Sequence, residues 1–518
     1  MSLSRIIRLC LSLLIALAAC KGLYHLVSQA WYFFEGAYTG DATYYFTVGR
    51  GIYNGLSLYT DIFDTKPPGV YLLSAMSFWI FDSHLLGSLL NAFMVIAYPV
   101  LFGVVAYTFD KRRHTILLAV FFGILLSLYS AFQAGAWQVE WYGAFFGSLY
   151  AVALIFFQKK RSSSASIAIF TVCILLSIGF KEPFIFSLIG VGLLLLPKKK
   201  DLLSGLVMPL GIAAVAGVIG LLILGYAQGY FSLYLPSQFG HQAARAVPLW
   251  QRGMSIHVLM KYIWEFSYIF SVLITALFAH AVFQSRKFAY PGLRTAVVVL
   301  ALYLGLTAGN LRGYPVGNHF VVMVPLYTAL FLLVLQYVSS QKHTYVLQLL
   351  LGLMLLTLLE IPMSMGISYY AESLSNMHKN VQKHTEAAHK IDAIMDACAI
   401  DRYYYVEERP YMEFMRHSPL NFFVYTGPDT IIYYHPFIVE KQLNNFSESR
   451  LVIAQGDGYE IRERSQEIPL SKVVQEYLVD NFSTTAWECA NGLTFPEEYA
   501  LLFRKDPHTM IPFPFKMK

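Results

Sequence analysis

Between Gly40 and Val70 the chain reads GDATYYFTVGRGIYNGLSLYTDIFDTKPPGV. One carboxylate, Asp41, opens an amphipathic stretch from Ala42 to Tyr53, and one lysine, Lys66, stands directly before Pro67-Pro68-Gly69. A carboxylate held partly dry at a membrane boundary can acquire a pKa suited to removing a proton from a hydroxyl. Two prolines cannot sit inside a helix, so they set a stiff approach to the next apolar segment and hold Lys66 at the membrane surface. There its ammonium could meet a substrate phosphate. Plainer roles exist for both residues: an acid at a helix start can cap it, and a lysine beside lipid can snorkel toward headgroup phosphate. Arg50 has the same two roles as Lys66. Asp61 and Asp64 could ligate a divalent metal with Asp41, or merely balance Lys66.

Other charges interrupt apolar surroundings further along. Glu140 lies in Gln138-Val139-Glu140-Trp141, between two apolar runs. Lys181-Glu182-Pro183 breaks a hydrophobic run, and its lysine and glutamate could satisfy each other. Arg312 and His319 flank Gly313-Tyr314-Pro315, where the histidine could equally be a structural donor. Charged side chains at a bilayer are costly and are usually kept for a purpose. No Walker loop, GxGxxG fingerprint, CxxC pair or HExxH motif competes with these groups.

The elements that must position them are mostly apolar. Of 518 residues, 56% are hydrophobic and 14% are charged, with a mean hydropathy of +0.51. Soluble domains carry roughly 25% charged residues, so the chain reads as a polytopic membrane protein. The net charge of +6 does not imply nucleic acid. It comes from short clusters at Lys111-Arg112-Arg113, Lys159-Lys160-Arg161, Lys198-Lys199-Lys200 and Arg286-Lys287, the pattern of cytoplasmic loops. With spans of about 20 residues, a helix beginning after Arg5 and Arg8 exits near Val27. Its Leu17-Ala18-Ala19-Cys20 end could also be a lipoprotein cleavage box. A first outer loop covers 28–85. Alternating apolar runs then give about eleven spans up to Ile361, including two short halves on either side of Lys181-Glu182. A second outer loop, 228–261, carries His241, Arg245 and Arg252. Asp41, Lys66, Glu140, Lys181, Arg312 and His319 all fall on the outer side of this topology.

From about Ser364 the composition turns polar. A helix is expected over Ala371–Ala399, strands over Tyr403–Val406, Asn421–Tyr425, Thr430–Tyr434 and Leu451–Ala454, and a helix over Leu470–Leu478. The expected organisation is a transmembrane domain over 1–361 and an extracytoplasmic α/β domain over 362–518. An odd span count leaves that domain outside, where Cys398 and Cys489 could pair. Cys10, Cys20 and Cys173 lie in apolar segments.

Asp41 before a Tyr-rich helix, Gly49-Arg50-Gly51, Asn54-Gly55, Leu58-Tyr59 and Asp64-Thr65-Lys66-Pro67-Pro68-Gly69 together resemble the first outer loop of GT-C glycosyltransferases. The nearest groups are the protein O-mannosyltransferase-like, lipid A aminoarabinose transferase-like and Rhizobium lipopolysaccharide transferase-like enzymes. The resemblance covers roughly residues 1–361. It implies transfer of a sugar from a polyprenyl-phosphate carrier to a lipid, glycan or protein acceptor, on the outer face of what would be a bacterial inner membrane. It further implies that Asp41 activates the acceptor and that Lys66 contacts carrier phosphate. Glu140 falls where relatives often place an acid, and Gly317-Asn318-His319-Phe320 looks like the start of a late helix. Two departures bear on metal binding: Ala42 replaces a second acid, and Thr65 separates Asp64 from Lys66. The resemblance specifies no certain cofactor, and a divalent metal held by Asp41 and Asp64 could take part. A transporter or flippase of a lipid-linked saccharide is the alternative, for which a charged helix break such as Lys181-Glu182-Pro183 would be the signature.

Overall fold

The computed structural model describes residues 3–35, 41–134, 137–196, 198–238, 254–285, 317–341, 344–362, 367–406, 414–424, 436–455, 469–497, 499–507 and 511–514, with scattered positions between 292 and 304. Arg312, His241, Arg245, Arg252 and the expected strand Thr430–Tyr434 lie outside the described residues. So does most of the expected span between residues 295 and 309.

The chain is predominantly helical and membrane-like in composition. Among the described residues, six helices are long and apolar enough to cross a membrane: Ser12–Glu35, Leu85–Phe109, Arg113–Phe132, Val139–Phe156, Lys199–Ile223 and His319–Tyr337. Five shorter apolar helices join them, at Pro68–Phe81, Ser164–Phe180, Phe184–Leu195, Tyr268–Ala281 and Gln348–Glu360. Six of the expected spans, of about eleven, thus have helices of membrane-crossing length among the described residues. Residues 164–195 form two shorter helices on either side of Lys181, as the apolar runs suggested. The Lys199–Ile223 segment is only 17% buried. Its exposed Val215, Leu222 and Ile223 suit contact with lipid, where apolar surface carries no penalty.

By its internal contacts the chain divides into two compact units. The first comprises Met1–Gly36, Ser88–Gly220 and Arg245–Leu374. Its centre is the Val139–Phe156 helix, which is buried on nearly every side. Glycines let its neighbours approach closely. A Cβ at Gly143 would lie 2.4 Å from the Phe184 ring, and one at Gly147 would lie 2.6 Å from Pro325. Ser177 Oγ donates to the Gly143 carbonyl at 2.8 Å, locking the Ser164–Phe180 helix against the same face. In the same unit, Glu360 caps the Tyr268–Ser285 helix by accepting from the Tyr268 and Ile269 backbone N–H groups, each at 3.1 Å.

The second unit comprises Ala37–Gly87, Leu221–Ala244 and Ser375–Lys518. The first outer loop thus folds with the C-terminal region rather than with the helices on either side of it. The loop contributes two helices, Asp41–Tyr53 and Pro68–Phe81. They touch closely, because a Cβ at Gly49 would sit 2.5 Å from Ser74 Cβ. The C-terminal region supplies a five-stranded sheet of β1 Arg402–Tyr405, β2 Ser418–Pro419, β3 Leu451–Gln455, β4 Phe482–Ser483 and β5 Tyr499–Arg504. The order is β2-β1-β3-β5-β4, with β1 parallel to β2 and β3 and with β5 antiparallel to β3 and β4. Two of the expected strands match β1 and β3. The expected strand at Asn421–Tyr425 is not one. Its Phe423 instead forms an isolated parallel bridge with Phe63 of the loop, through Phe63 N–H to the Phe422 carbonyl (2.5 Å) and Val424 N–H to the Phe63 carbonyl (3.2 Å). The helix Pro436–Glu448 and strand β5 had no counterpart in the sequence reading. Asn54 Nδ2 adds a second tie, donating to the Arg416 carbonyl at 2.8 Å and to Ser418 Oγ at 2.9 Å.

Cys398 and Cys489 form a disulfide across 91 residues. Closing a loop of this length restricts the unfolded chain, so replacing both cysteines with serine should cost about 4 kcal/mol. Thermal unfolding with and without reductant checks this: wild type should respond to reductant and the variant should not.

His84 lies in the turn after the Pro68–Phe81 helix, against the rings of Phe46 (3.8 Å), Phe78 (5.4 Å) and Phe414 (5.9 Å). Burial, aided by the nearby Arg50 charge, pushes its pKa from 6.5 down to about 3. The unfolded chain therefore binds the proton first. Stability is unaffected above pH 6.5 and declines as the pH falls from there toward 3. Unfolding temperatures at pH 7 and pH 4.5 should diverge more in wild type than in His84→Leu.

Candidate functional site

Each unit brings together some of the ionisable residues singled out in the sequence. In the second unit, Asp41 is the first residue of its helix and is partly exposed. Tyr45, one turn on, donates its hydroxyl to Asp41 Oδ2 at 3.4 Å. That spacing places both on one helix face. The Tyr45 ring meets the Tyr71 ring edge to face at 5.9 Å. The Tyr71 hydroxyl in turn faces Asp64. Two acids and two phenols thus lie in sequence across the paired helices.

Asp64 is 2% exposed, and Thr65 N–H donates to its Oδ1 at 2.5 Å. Burial raises its pKa above the ordinary carboxylate value; Lys66, the Thr65 N–H and Tyr71 pull it back, while Asp41 adds a smaller upward push. Asp61 stands apart: it is exposed and its Oδ2 accepts from the Ser57 N–H at 2.9 Å, closing a turn. Among the described residues no three His, Cys, Asp or Glu side chains group to hold a metal ion.

Lys66 is half-buried. Pro67 precedes the Pro68–Phe81 helix with extended backbone, and Pro68 occupies its first turn, where a missing N–H carries no cost. The sequence reading of a stiff proline approach agrees with this geometry. Arg50 lies elsewhere. Its Nη1 pairs with Asp82 Oδ1 at 2.8 Å, and its guanidinium covers the Phe78 ring at 3.9 Å. Arg50 thus joins the two loop helices, a bridging task that the phosphate expectation did not include.

In the first unit, Glu140 is the second residue of the Val139–Phe156 helix and is 1% exposed. Its Oε1 accepts from Lys181 Nζ at 2.7 Å. The packing accounts for this pairing. Ser177 binds Gly143, and the helices run antiparallel, so Lys181, one turn beyond Ser177, arrives beside Glu140, one turn before Gly143. Lys181 thus binds the carboxylate of Glu140. His319 opens on the same oxygen, with Nε2 at 3.9 Å from Glu140 Oε1. It lies in the 3₁₀ segment Gly317–Met323, which Ser187 holds by donating its hydroxyl to the Val322 carbonyl. Three residues that sequence reading placed on three separate segments therefore meet at one carboxylate. Just before them, the fully buried Trp137 has φ 62, an unusual conformation for a bulky residue.

Sequence reading missed Tyr45, Tyr71, Tyr59 and Gln238. Tyr45 had a usable signal, being four residues after Asp41. The others depend on contacts across the fold. No family model, no curated protein and no solved structure matches this chain.

Proposed function

We propose that this protein is a membrane glycosyltransferase that moves a sugar from a polyprenyl-phosphate carrier to a lipid, glycan or protein acceptor outside the cytoplasm. The observation that carries the reading is the loop itself: a partly exposed carboxylate, Asp41, and a half-buried lysine, Lys66, lie within one folded unit. Inverting transfer needs those two functions. Asp41 takes the proton of the acceptor hydroxyl as its oxygen attacks the anomeric carbon. The bond from that carbon to the carrier phosphate oxygen breaks, and the phosphate leaves with the electron pair. Lys66 stabilises the charge that grows there. Glu140, Lys181 and His319 form a second ionic cluster, to which we assign substrate contact; Arg312 and Arg50 are secondary candidates. The disulfide supports an oxidising location for the C-terminal region, and hence outward sidedness. Within the unit, that region braces the loop through Phe63–Phe423 and Asn54.

Mass spectrometry of envelope glycans tests the reading. A strain lacking the protein should miss one sugar, and expression of the intact protein should restore it. An unchanged glycan profile on deletion would count against transfer. The transporter alternative draws on Lys181, which sits between two helices of 17 and 12 residues. Movement of a lipid-linked saccharide across liposomes without any bond change would favour it.

A further inference from the structure

The backbone of Asp64-Thr65-Lys66 is held at three points by side chains. Asp64 accepts from the Thr65 N–H. Gln238 Nε2 donates to the Thr65 carbonyl at 3.2 Å. Tyr59 donates its hydroxyl to the Lys66 carbonyl at 2.8 Å. Two successive carbonyls on either side of the Lys66 Cα are thus fixed by residues far from each other in sequence.

Tyr59 reaches this position at a cost. Its φ is 69, in the left-handed region, which for a bulky residue costs on the order of 1–3 kcal/mol. Packing enforces it. The ring is fully buried between Tyr234 (4.9 Å), Tyr230 (5.7 Å) and Phe63 (6.1 Å). Gly229 lies so close that a Cβ there would come within 2.7 Å of Tyr59 Cβ. Gln238 follows on the same segment as Gly229, Tyr230 and Tyr234. One stretch of chain, entered from the Lys199–Ile223 helix, therefore clamps Tyr59 and binds Thr65.

We propose that Tyr59 and Gln238 are positioning residues that set where the Lys66 ammonium meets the carrier phosphate. The proposal rests on the reading of Lys66 as a phosphate contact. A lysine has a long flexible stem, so its ammonium is well placed only if its Cα is. Fixing the backbone removes part of the ordering cost of binding.

The test uses the full-length protein in detergent and two probes, undecaprenyl phosphate and undecaprenol. The ratio of their affinities isolates the phosphate. Lys66→Ala should collapse that ratio. Tyr59→Phe removes only a hydroxyl and Gln238→Met removes the amide donor without adding charge, so each should lower the ratio by about three- to tenfold and leave undecaprenol binding unchanged. Gln238→His, which retains an N–H donor, should recover most of the loss. If Lys66→Ala collapses the ratio while Tyr59→Phe and Gln238→Met leave it intact, or weaken both lipids alike, the two residues merely pack and the proposal is overturned. If Lys66→Ala leaves the ratio intact, the underlying reading of Lys66 fails and the proposal falls with it. Should Tyr59→Phe not fold, the partly exposed Gln238 pair of variants carries the test alone.

Discussion

Asp41→Asn should lower sugar transfer by about 10²- to 10⁴-fold, the range in which a positioned general base contributes. The substitution is informative because it separates two roles. Asparagine matches aspartate in size and keeps a polar side chain at the first helical position, so the Asp41–Tyr53 helix should form in both proteins and unfolding temperatures should nearly coincide. A side-chain amide cannot accept the acceptor's proton at neutral pH. Transfer from a synthetic polyprenyl-phosphate donor, measured at matched expression, therefore reports base chemistry alone. Undiminished transfer by Asp41→Asn would reduce Asp41 to a cap. Tyr45→Phe offers a graded companion. It removes the 3.4 Å contact to Asp41 and should have a smaller effect in the same direction.

The second large effect concerns Glu140 and Lys181. Lys181→Met strips the 2.7 Å cation from a carboxylate that is 1% exposed. Removing one partner of a buried ion pair typically costs about 3–5 kcal/mol, because the other charge stays buried. Replacing both, as in Glu140→Gln with Lys181→Met, should recover most of that stability, since buried pairs are often exchangeable for neutral groups of similar size. Activity should follow the opposite rule. If the pair serves substrate, both the single and the double variant lose transfer, although the double variant regains its unfolding temperature. A double variant with full transfer would show that the pair only joins helices.

How far the candidate site could be read from the chain differs by residue. The Asp41–Tyr45 pair follows from helical spacing, and the setting of Lys66 follows from its two prolines. Local stereochemistry suffices for both. The partner of Lys181 does not follow, because the adjacent Glu182 was the nearer candidate in sequence. Glu140 meets Lys181 because Ser177 and Gly143 set two antiparallel helices in a register that brings position 181 to position 140. Arg50 was a phosphate candidate on charge alone. Its pairing with Asp82 depends on how the Asp41–Tyr53 and Pro68–Phe81 helices lie together. Strand β5 gains its structure from pairing with β3 and β4, whereas the helix Pro436–Glu448 carries a helical pattern of buried Ile438, Val439, Leu443 and Phe446 that the sequence reading overlooked.

By itself the amino-acid sequence determined that the chain is apolar and helical, that a polar loop interrupts it near its start, and that a mixed α/β region follows the helices. Those properties depend on composition and on hydrophobic period, which act over a few residues. Tertiary structure alone decided that residues 37–87 and 375–518 form one unit, that Phe63 pairs with Phe423, and that Gln238 grips the peptide beside Lys66. The physical reason is that backbone pairing and side-chain hydrogen bonds between distant segments carry no local pattern. They exist only where packing brings a donor and an acceptor to one place and keeps water from competing for them.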